Sequence, residues 1–539
     1  MNTKLAALRS AILWGSATLV IALLTGAMAV VLPPGAAIVM VALVAAVLLW
    51  ALPEQPAQKI TLLRNLFLIA LVAQMSVPAY YAVRVAGLPW LSIRRVLWGT
   101  VIILFLLSVA GSKANRRHIA SCLRDNRWLL FATIGFFVML VVSIPTSANP
   151  AFSLKSLTDV FLTWIIPFAC ATLVIRKQED VILVLRLIVV CIIADGTFGL
   201  IEFILHRRFL FDIFPHSMLQ QLMADDPLYA YLFLPSIRNG IYRASSVYTV
   251  ALSFGEFAAM AGPLATYFVM HGRGWADRLF GLVGLLFCLI SLYCAGARGG
   301  YIGFLAAMSF FALLWTFRFI ALHRKSLAGF LLLSLYPLAF AGLVGAVLFW
   351  KRLHNLVLGG GETHASNSGR YDQWLLAQPH LMANPITGHG LGMATDVISY
   401  YSLGSTLPSV DSYLLTLLVE VGIPGTVAFF GMLAYAIWKG GRIYLSDLDE
   451  RATVAAPIAC SLVAFAVYRL VLSQRENHTL CFILIGVFIA VANLYRSRAT
   501  QRGTVGATPG RIGTGATVSK AGWRRPIIPG TVPGGYPTA

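Results

Sequence analysis

Long apolar runs separated by short polar connections dominate this chain. Windows read along it place apolar stretches near 11–31, 35–52, 62–82, 96–111, 128–146, 158–175, 181–205, 251–270, 279–297, 299–321, 327–350, 411–438, 453–473 and 479–495. A bilayer core asks for roughly 20 apolar residues per helical span. Barrel strands would be about ten residues long and alternate in polarity. In lipid, moreover, every backbone polar group has to be satisfied within the protein. The pattern therefore predicts an all-α, polytopic membrane helix bundle of about 14 spans (12–14).

The rhythm changes once, at a polar insert over 351–410. Within it, Asn367-Ser368 offers a helix cap. Tyr371, Trp374, Leu375, Gln378, Leu381 and Met382 follow at spacings of three and four, predicting an amphipathic helix lying at an interface. Pro385 ends it, and Gly388, Gly390 and Gly392 make a tight turn. Residues 1–111 read as scaffold spans. Residues 112–350 are central spans interrupted by an outer loop at 206–250, and 411–496 are the last spans. The Gly-, Pro-, Thr- and Arg-rich tail 497–539 lacks a core-forming pattern and reads as a disordered cytoplasmic segment.

Composition sharpens this picture. The chain is 58% hydrophobic and 12% charged, with a formal net charge of +20. With both termini in the cytoplasm, most Lys and Arg fall in the inner loops, which is the positive-inside pattern and not a nucleic-acid footprint. Lys113, Arg116, Arg117, Arg124 and Arg127 fit an inner loop lying on anionic lipid; Arg84, Arg94 and Arg95 fall on the wrong side. Six of the seven cysteines lie in predicted spans and read as small apolar residues. There is no Cys/His metal spacing. The first apolar stretch, behind Lys4 and Arg9, reads as a retained span.

Charge near the predicted outer face supplies the candidate chemistry. Arg298 lies in Ala295-Gly296-Ala297-Arg298-Gly299-Gly300, between two spans. Its guanidinium fork matches a phosphate; the other account is snorkelling to headgroups. Arg370 opens the amphipathic helix and is either a second phosphate or sugar clamp or the partner of Asp372 or Glu362. Arg238 and Arg243, before the span at 251–270, would add two cations, or contact headgroups. Asp411 is placed either to take a proton from a hydroxyl or to cap the next helix. His389 could serve as acid, base or sugar contact, or as a plain turn residue. Glu256 is a substrate contact or a helix-pairing group. Glu420 is a substrate contact or satisfies backbone groups freed by Pro424, and Trp374 is a substrate-binding candidate. Gly388-His389-Gly390-Leu391-Gly392 has the look of a nucleotide turn, but no strand precedes it.

At these residues the chain resembles the O-antigen polymerase and ligase superfamily of bacterial envelope enzymes, over roughly 240–440. The resemblance rests on Arg243-Ala244-Ser245, Ala297-Arg298-Gly299 and Gly369-Arg370 followed by Trp374. Its most specific parts are Asn384-Pro385-Ile386-Thr387-Gly388-His389-Gly390-Leu391-Gly392, Asp411-Ser412-Tyr413-Leu414-Leu415 and Glu420-Val421-Gly422-Ile423-Pro424-Gly425. It implies a multi-pass inner-membrane enzyme with a periplasmic active site. Such an enzyme moves a glycan from an undecaprenyl diphosphate carrier to an acceptor hydroxyl, with no metal or nucleotide cofactor and with arginines holding the diphosphate. Ligases of the superfamily typically carry His-Asn where this chain has Asp411-Ser412, so the expectation is an exopolysaccharide or O-antigen polymerase. The alternatives are a ligase acting on lipid A core or another acceptor, and a transporter of lipid-linked sugar. Expected partners are the lipid-linked oligosaccharide, the bilayer, and a chain-length regulator or export machinery, with no nucleic acid.

Overall fold

The computed structural model describes residues 60–83, 91–215, 217–218, 220–221, 236–238, 240–323, 327–349, 362–401, 408–446 and 450–505. The expected spans at 11–31 and 35–52, Arg84 and the tail beyond 505 lie outside the described residues. From 62–82 onward, each of the twelve remaining expected spans overlaps a helix. Among the described residues, seven helices are long and apolar enough to cross a membrane, or eight if a bent pair counts as one span.

The helices, in chain order, are α1 (Thr61–Ser76), α2 (Ile93–Gly111), α3 (Lys113–Arg124), α4 (Arg127–Val142), α5 (Pro150–Val160), α6 (Ile166–Val174), α7 (Gln178–Leu205), α8 (Leu210–Ile213), α9 (Ala251–His271), α10 (Trp275–Ala295), α11 (Arg298–Leu322), α12 (Leu327–Phe349), α13 (Glu362–Ala383), α14 (Ala394–Ile398), α15 (Tyr413–Ser446), α16 (Ala455–Tyr468) and α17 (His478–Val505). A π-helical turn, Phe161–Ile165, joins α5 to α6 just before Pro167, where the missing proline N–H breaks the regular ladder. Two minimal hairpins depart from an all-helical reading: β1 (Ala82–Val83) pairs with β2 (Leu91–Ser92), and β3 (Ile237–Arg238) with β4 (Ile241–Tyr242). Residues 1–496 form one compact unit; the second unit, 497–539, is described only to Val505.

Helix α9 is the hub, with α7, α10, α11 and α16 packed on it. It is not among the seven apolar spans, because it trades large side chains for small ones and carries Glu256. Small residues let helices approach where lipid supplies no hydrophobic drive. A Cβ on Gly281 of α10 would lie 2.6 Å from the backbone N of Val269 in α9, and one on Gly262 would lie 2.4 Å from the Phe304 ring of α11.

Helix α3 meets α4 at 99°, so the basic segment from Lys113 to Arg124 runs across the bundle axis. That is the placement expected of a helix on anionic headgroups. Arg94, on the wrong side in the charge pattern, is buried, and its Nε donates to the Val77 carbonyl. It is an internal charge, not a loop charge.

The helix in the polar insert is present but starts at Glu362, so Asn367-Ser368 lies inside it and does not cap it. It runs through Pro379 and ends at Ala383, two residues before Pro385. Gly369, Gln373 and Ala377 face the protein, whereas Tyr371, Trp374, Leu375 and Met382 are exposed. The apolar stripe thus points outward, as an interfacial helix requires.

Candidate functional site

The starts of α9, α11, α15 and α17 and the ends of α4, α7, α10 and α16 share one end of the bundle, and the candidate residues gather there. The first group is the turn between α10 and α11. Gly296, at φ 54°, closes α10, and Arg298 is the first residue of α11. Arg243 lies against this turn: its Nε donates to the Ala295 carbonyl at 2.9 Å, and the next amide, Ala244 N, donates to Cys294 O at 2.9 Å. Arg243 and Arg298 are therefore carried by directly bonded backbone. The side chain of Arg238 lies outside the described residues.

The loop bearing Arg243 is fixed from below by Glu202. Its carboxylate accepts from Tyr242 Oη at 3.0 Å, Ser245 N at 3.1 Å and Ser246 N at 2.7 Å, with Arg208 Nε at 3.8 Å. Burial, and next Glu202's own charge, push the Tyr242 phenol above its ordinary range, so it stays the donor in this bond.

The second group brings Arg370 to Asp411. Arg370 Nε stands 3.8 Å from Asp411 Oδ2, with side chains 39% and 45% exposed. The partner is not the neighbouring Asp372 proposed from the sequence, and the side chain of Glu362 lies outside the described residues. Buried Gln373, one turn along α13, accepts from Asp411 N at 2.9 Å and so sets the pair's geometry. In the first turn of α15 the neighbouring Ser412 supplies a cap. Tyr413 N and Leu414 N donate to the Arg469 carbonyl, Leu415 N to Ser412 Oγ and Thr416 N to Ser412 O. Trp374, four residues after Arg370, is 41% exposed on the same helix.

The segment after α16 bridges the two groups. Arg469 O receives α15 as described, Ser473 Oγ donates to Val410 O, and Val471 would lie 2.9 Å from a Cβ on Gly299. This chain of contacts sets Arg298 and Arg370 at the same end of the molecule.

The two acids proposed to touch substrate are engaged by the protein. Glu256 is fully buried and is held by Arg469 and by Asn477 Nδ2 at 2.9 Å. Glu420 is buried and pairs with Arg475 at 2.6 Å. For Glu256 the structure favours the helix-pairing account; for Glu420 it shows an ion pair with Arg475 that neither account named.

Backbone groups freed at the break in α15 are satisfied by the glycine turn, not by Glu420. Pro424 has no N–H, so Glu420 O lacks its helical donor, and Gly390 N supplies one at 3.0 Å. Gly422, at φ 70° and ψ −176°, turns Ile423 N away to Pro385 O at 2.8 Å. Val419 O, freed in turn, accepts from His389 N at 2.8 Å. A Cβ on Gly422 would lie 2.3 Å from Ile386 O. His389 also has its ring committed locally, Nε2 to His380 O at 2.9 Å and Nδ1 to Asn384 Nδ2 at 3.5 Å. The nucleotide-turn look of Gly388–Gly392 is explained: the turn docks onto a broken helix.

These motifs thus complete one another in space as they follow one another in sequence. Residues 283–430 match the O-antigen ligase family model. The resemblance expected from the sequence is shown over that stretch, and the protein is O-antigen ligase-like there. No curated protein matches the chain. The O-antigen ligase-like segment contains Arg298, Arg370, Trp374, His389, Asp411 and Glu420. Arg243 and Glu256 precede it, and Arg469, Arg475 and Asn477 follow it. Sequence reasoning missed Glu202, Gln373 and these last three; the one signal was a charge inside an expected span for Glu202 and Arg469, and a charge or amide just past one for Arg475 and Asn477.

Proposed function

We propose that the protein is a polysaccharide polymerase of the bacterial inner membrane. It would transfer a glycan from an undecaprenyl diphosphate carrier to an acceptor sugar hydroxyl at the periplasmic face. Family membership supports O-antigen ligase- or polymerase-type glycosyl transfer in general, and the clustering of Lys and Arg at the opposite end of the bundle supports the orientation. The observation that carries the reading is the loose, half-exposed contact of Arg370 with Asp411.

On this reading the arriving diphosphate draws Arg370 off Asp411, and Arg298 and Arg243 complete the clamp. The bond between the anomeric carbon and the phosphate oxygen breaks, and its electron pair leaves with the diphosphate. Each donor aimed at that developing charge is worth about 3 kcal/mol. Asp411, released from its guanidinium, takes the acceptor hydroxyl's proton as the new glycosidic bond forms. In-line attack inverts the anomeric centre. Both ring nitrogens of His389 are committed to the docking turn, which favours Asp411 over His389 as base.

In-cell polymer length in Arg298→Ala, Arg370→Ala and Asp411→Asn strains tests the assignment; loss of long chains is expected, and normal chain length in all three overturns it. The description of the matching family favours a second reading, ligation to a final acceptor. The lipid-linked intermediate in a deletion strain separates the two: single repeat units mark a polymerase, finished polymer a ligase.

A further inference from the structure

One group of buried polar side chains takes no part in the site above. Tyr80 follows α1, Arg94 opens α2, and Asp195 lies within α7. Tyr248 belongs to the Arg243-bearing loop, and Glu476 lies between α16 and α17. Hydrogen bonds bring their segments together: Ser246 Oγ, two residues before Tyr248, donates to Asp195 O at 2.7 Å, Thr249 N donates to Glu476 Oε1 at 3.0 Å, and Arg94 Nε donates to Val77 O, three residues before Tyr80. Asp195 is 0% exposed, Tyr80 and Tyr248 are 1% and Arg94 is 7%.

The hydrogen-bonding of this group is incomplete on both the donor and the acceptor side. Arg94 Nη2, Tyr80 Oη and Tyr248 Oη are buried donors without a partner; Asp195 Oδ1, Asp195 Oδ2 and Glu476 Oε2 are buried acceptors without one. Glu476 Oε1 is satisfied, accepting from Thr249 N at 3.0 Å, and Arg94 Nε is satisfied by Val77 O. The Ser76 hydroxyl stands beside Asp195 and is the group nearest to serving as its partner, although the contact falls outside ordinary hydrogen-bond distance and angle. Buried polar groups in folded proteins are rarely left unpaired, and a polar recess with several convergent groups holds water or a polar guest where an apolar cavity stays dry. Charge narrows the guest. Asp195 and Glu476 repel an anion, and Arg94 repels a cation. Donors and acceptors occurring together match a group that both donates and accepts, namely a hydroxyl.

We propose that Tyr80, Arg94, Asp195, Tyr248 and Glu476 line an internal site for neutral hydroxyl-bearing guests, either bound water or the hydroxyl edge of a sugar. The site is joined to the candidate active site through the chain. Tyr248 is five residues from Arg243 on a loop held by Glu202, and Glu476 adjoins Arg475, the partner of Glu420. Occupancy of the recess therefore bears on how both loops are held. The proposal rests on burial and pairing; only its sugar arm draws on the glycan-transfer reading.

X-ray radiolytic footprinting of the wild-type protein in lipid nanodiscs tests it. Radiolysis of a water bound beside a tyrosine hydroxylates the ring even where bulk solvent does not reach. Tyr468 is the control: it is equally buried, and its hydroxyl is satisfied by Leu252 O at 2.8 Å. Tyr80 and Tyr248 are expected to be labelled several-fold faster than Tyr468, with exposed Tyr293 as the dose reference. Labelling no faster than that of Tyr468 overturns the proposal. If added sucrose suppresses labelling at Tyr80 and Tyr248 relative to Tyr293, the guest is a sugar; if it does not, the guest is water. The measurement involves no turnover, so its failure leaves the polymerase reading standing.

Discussion

Two arginine–carboxylate contacts at one end of this bundle have the same chemistry and opposite settings. Arg469 and Glu256 are entirely buried, and Asn477 shares the carboxylate. Arg370 and Asp411 meet at 3.8 Å with more than a third of each side chain exposed. The first pair cannot exchange partners without stranding a charge in a low-dielectric interior. The second gains little from its own contact and can give it up to an incoming anion. Burial, more than residue type, separates a strut from a site.

The largest expected effect is on the strut. Arg469→Ala should destabilise by about 3–5 kcal/mol, because it leaves Glu256 charged and buried; thermal unfolding in detergent measures it, and a wild-type transition would dissolve the contrast. Arg370→Ala should instead cost activity, about 3 kcal/mol in transfer rate, while stability moves by no more than about 1 kcal/mol for so exposed a pair. Polymer length and unfolding measured on the same variant check both halves. Next comes Gly422→Ala. Positive φ and the close Ile386 carbonyl set a loss of at least about 1–3 kcal/mol, read by unfolding. The smallest effect belongs to Arg186→Ala: that residue meets Asp277 at 2.7 Å on exposed surface and should change stability by about 0.2–1 kcal/mol.

Much of this was legible from the chain alone. Apolar periodicity located the helices, since a span's length is set by the bilayer and not by its neighbours. The juxtaposition of Asp411 and Arg370 was foreshadowed by naming both, although the partners proposed for Arg370 were local ones. What pattern could not reach was pairing across distance. Glu256 finds Arg469 across 213 positions of chain, and Glu420 finds Arg475 across 55; spacing rules describe neighbours on one helix, not residues joined by packing. The nucleotide-like look of the glycine turn, set aside for want of a preceding strand, has a related origin. Its glycines are needed for close approach to a broken helix, and phosphate-binding turns need them for close approach too. Residue type alone does not say which partner is approached.

The docking of that turn also constrains how the protein is made. Until residues 385–390 return to α15, the carbonyls of Val419 and Glu420 have no donors, and hydrocarbon offers none. The insert and the helix that follows it in the chain must therefore mature together. The ribosome can deliver the last part of the site to the membrane well before it is able to settle there.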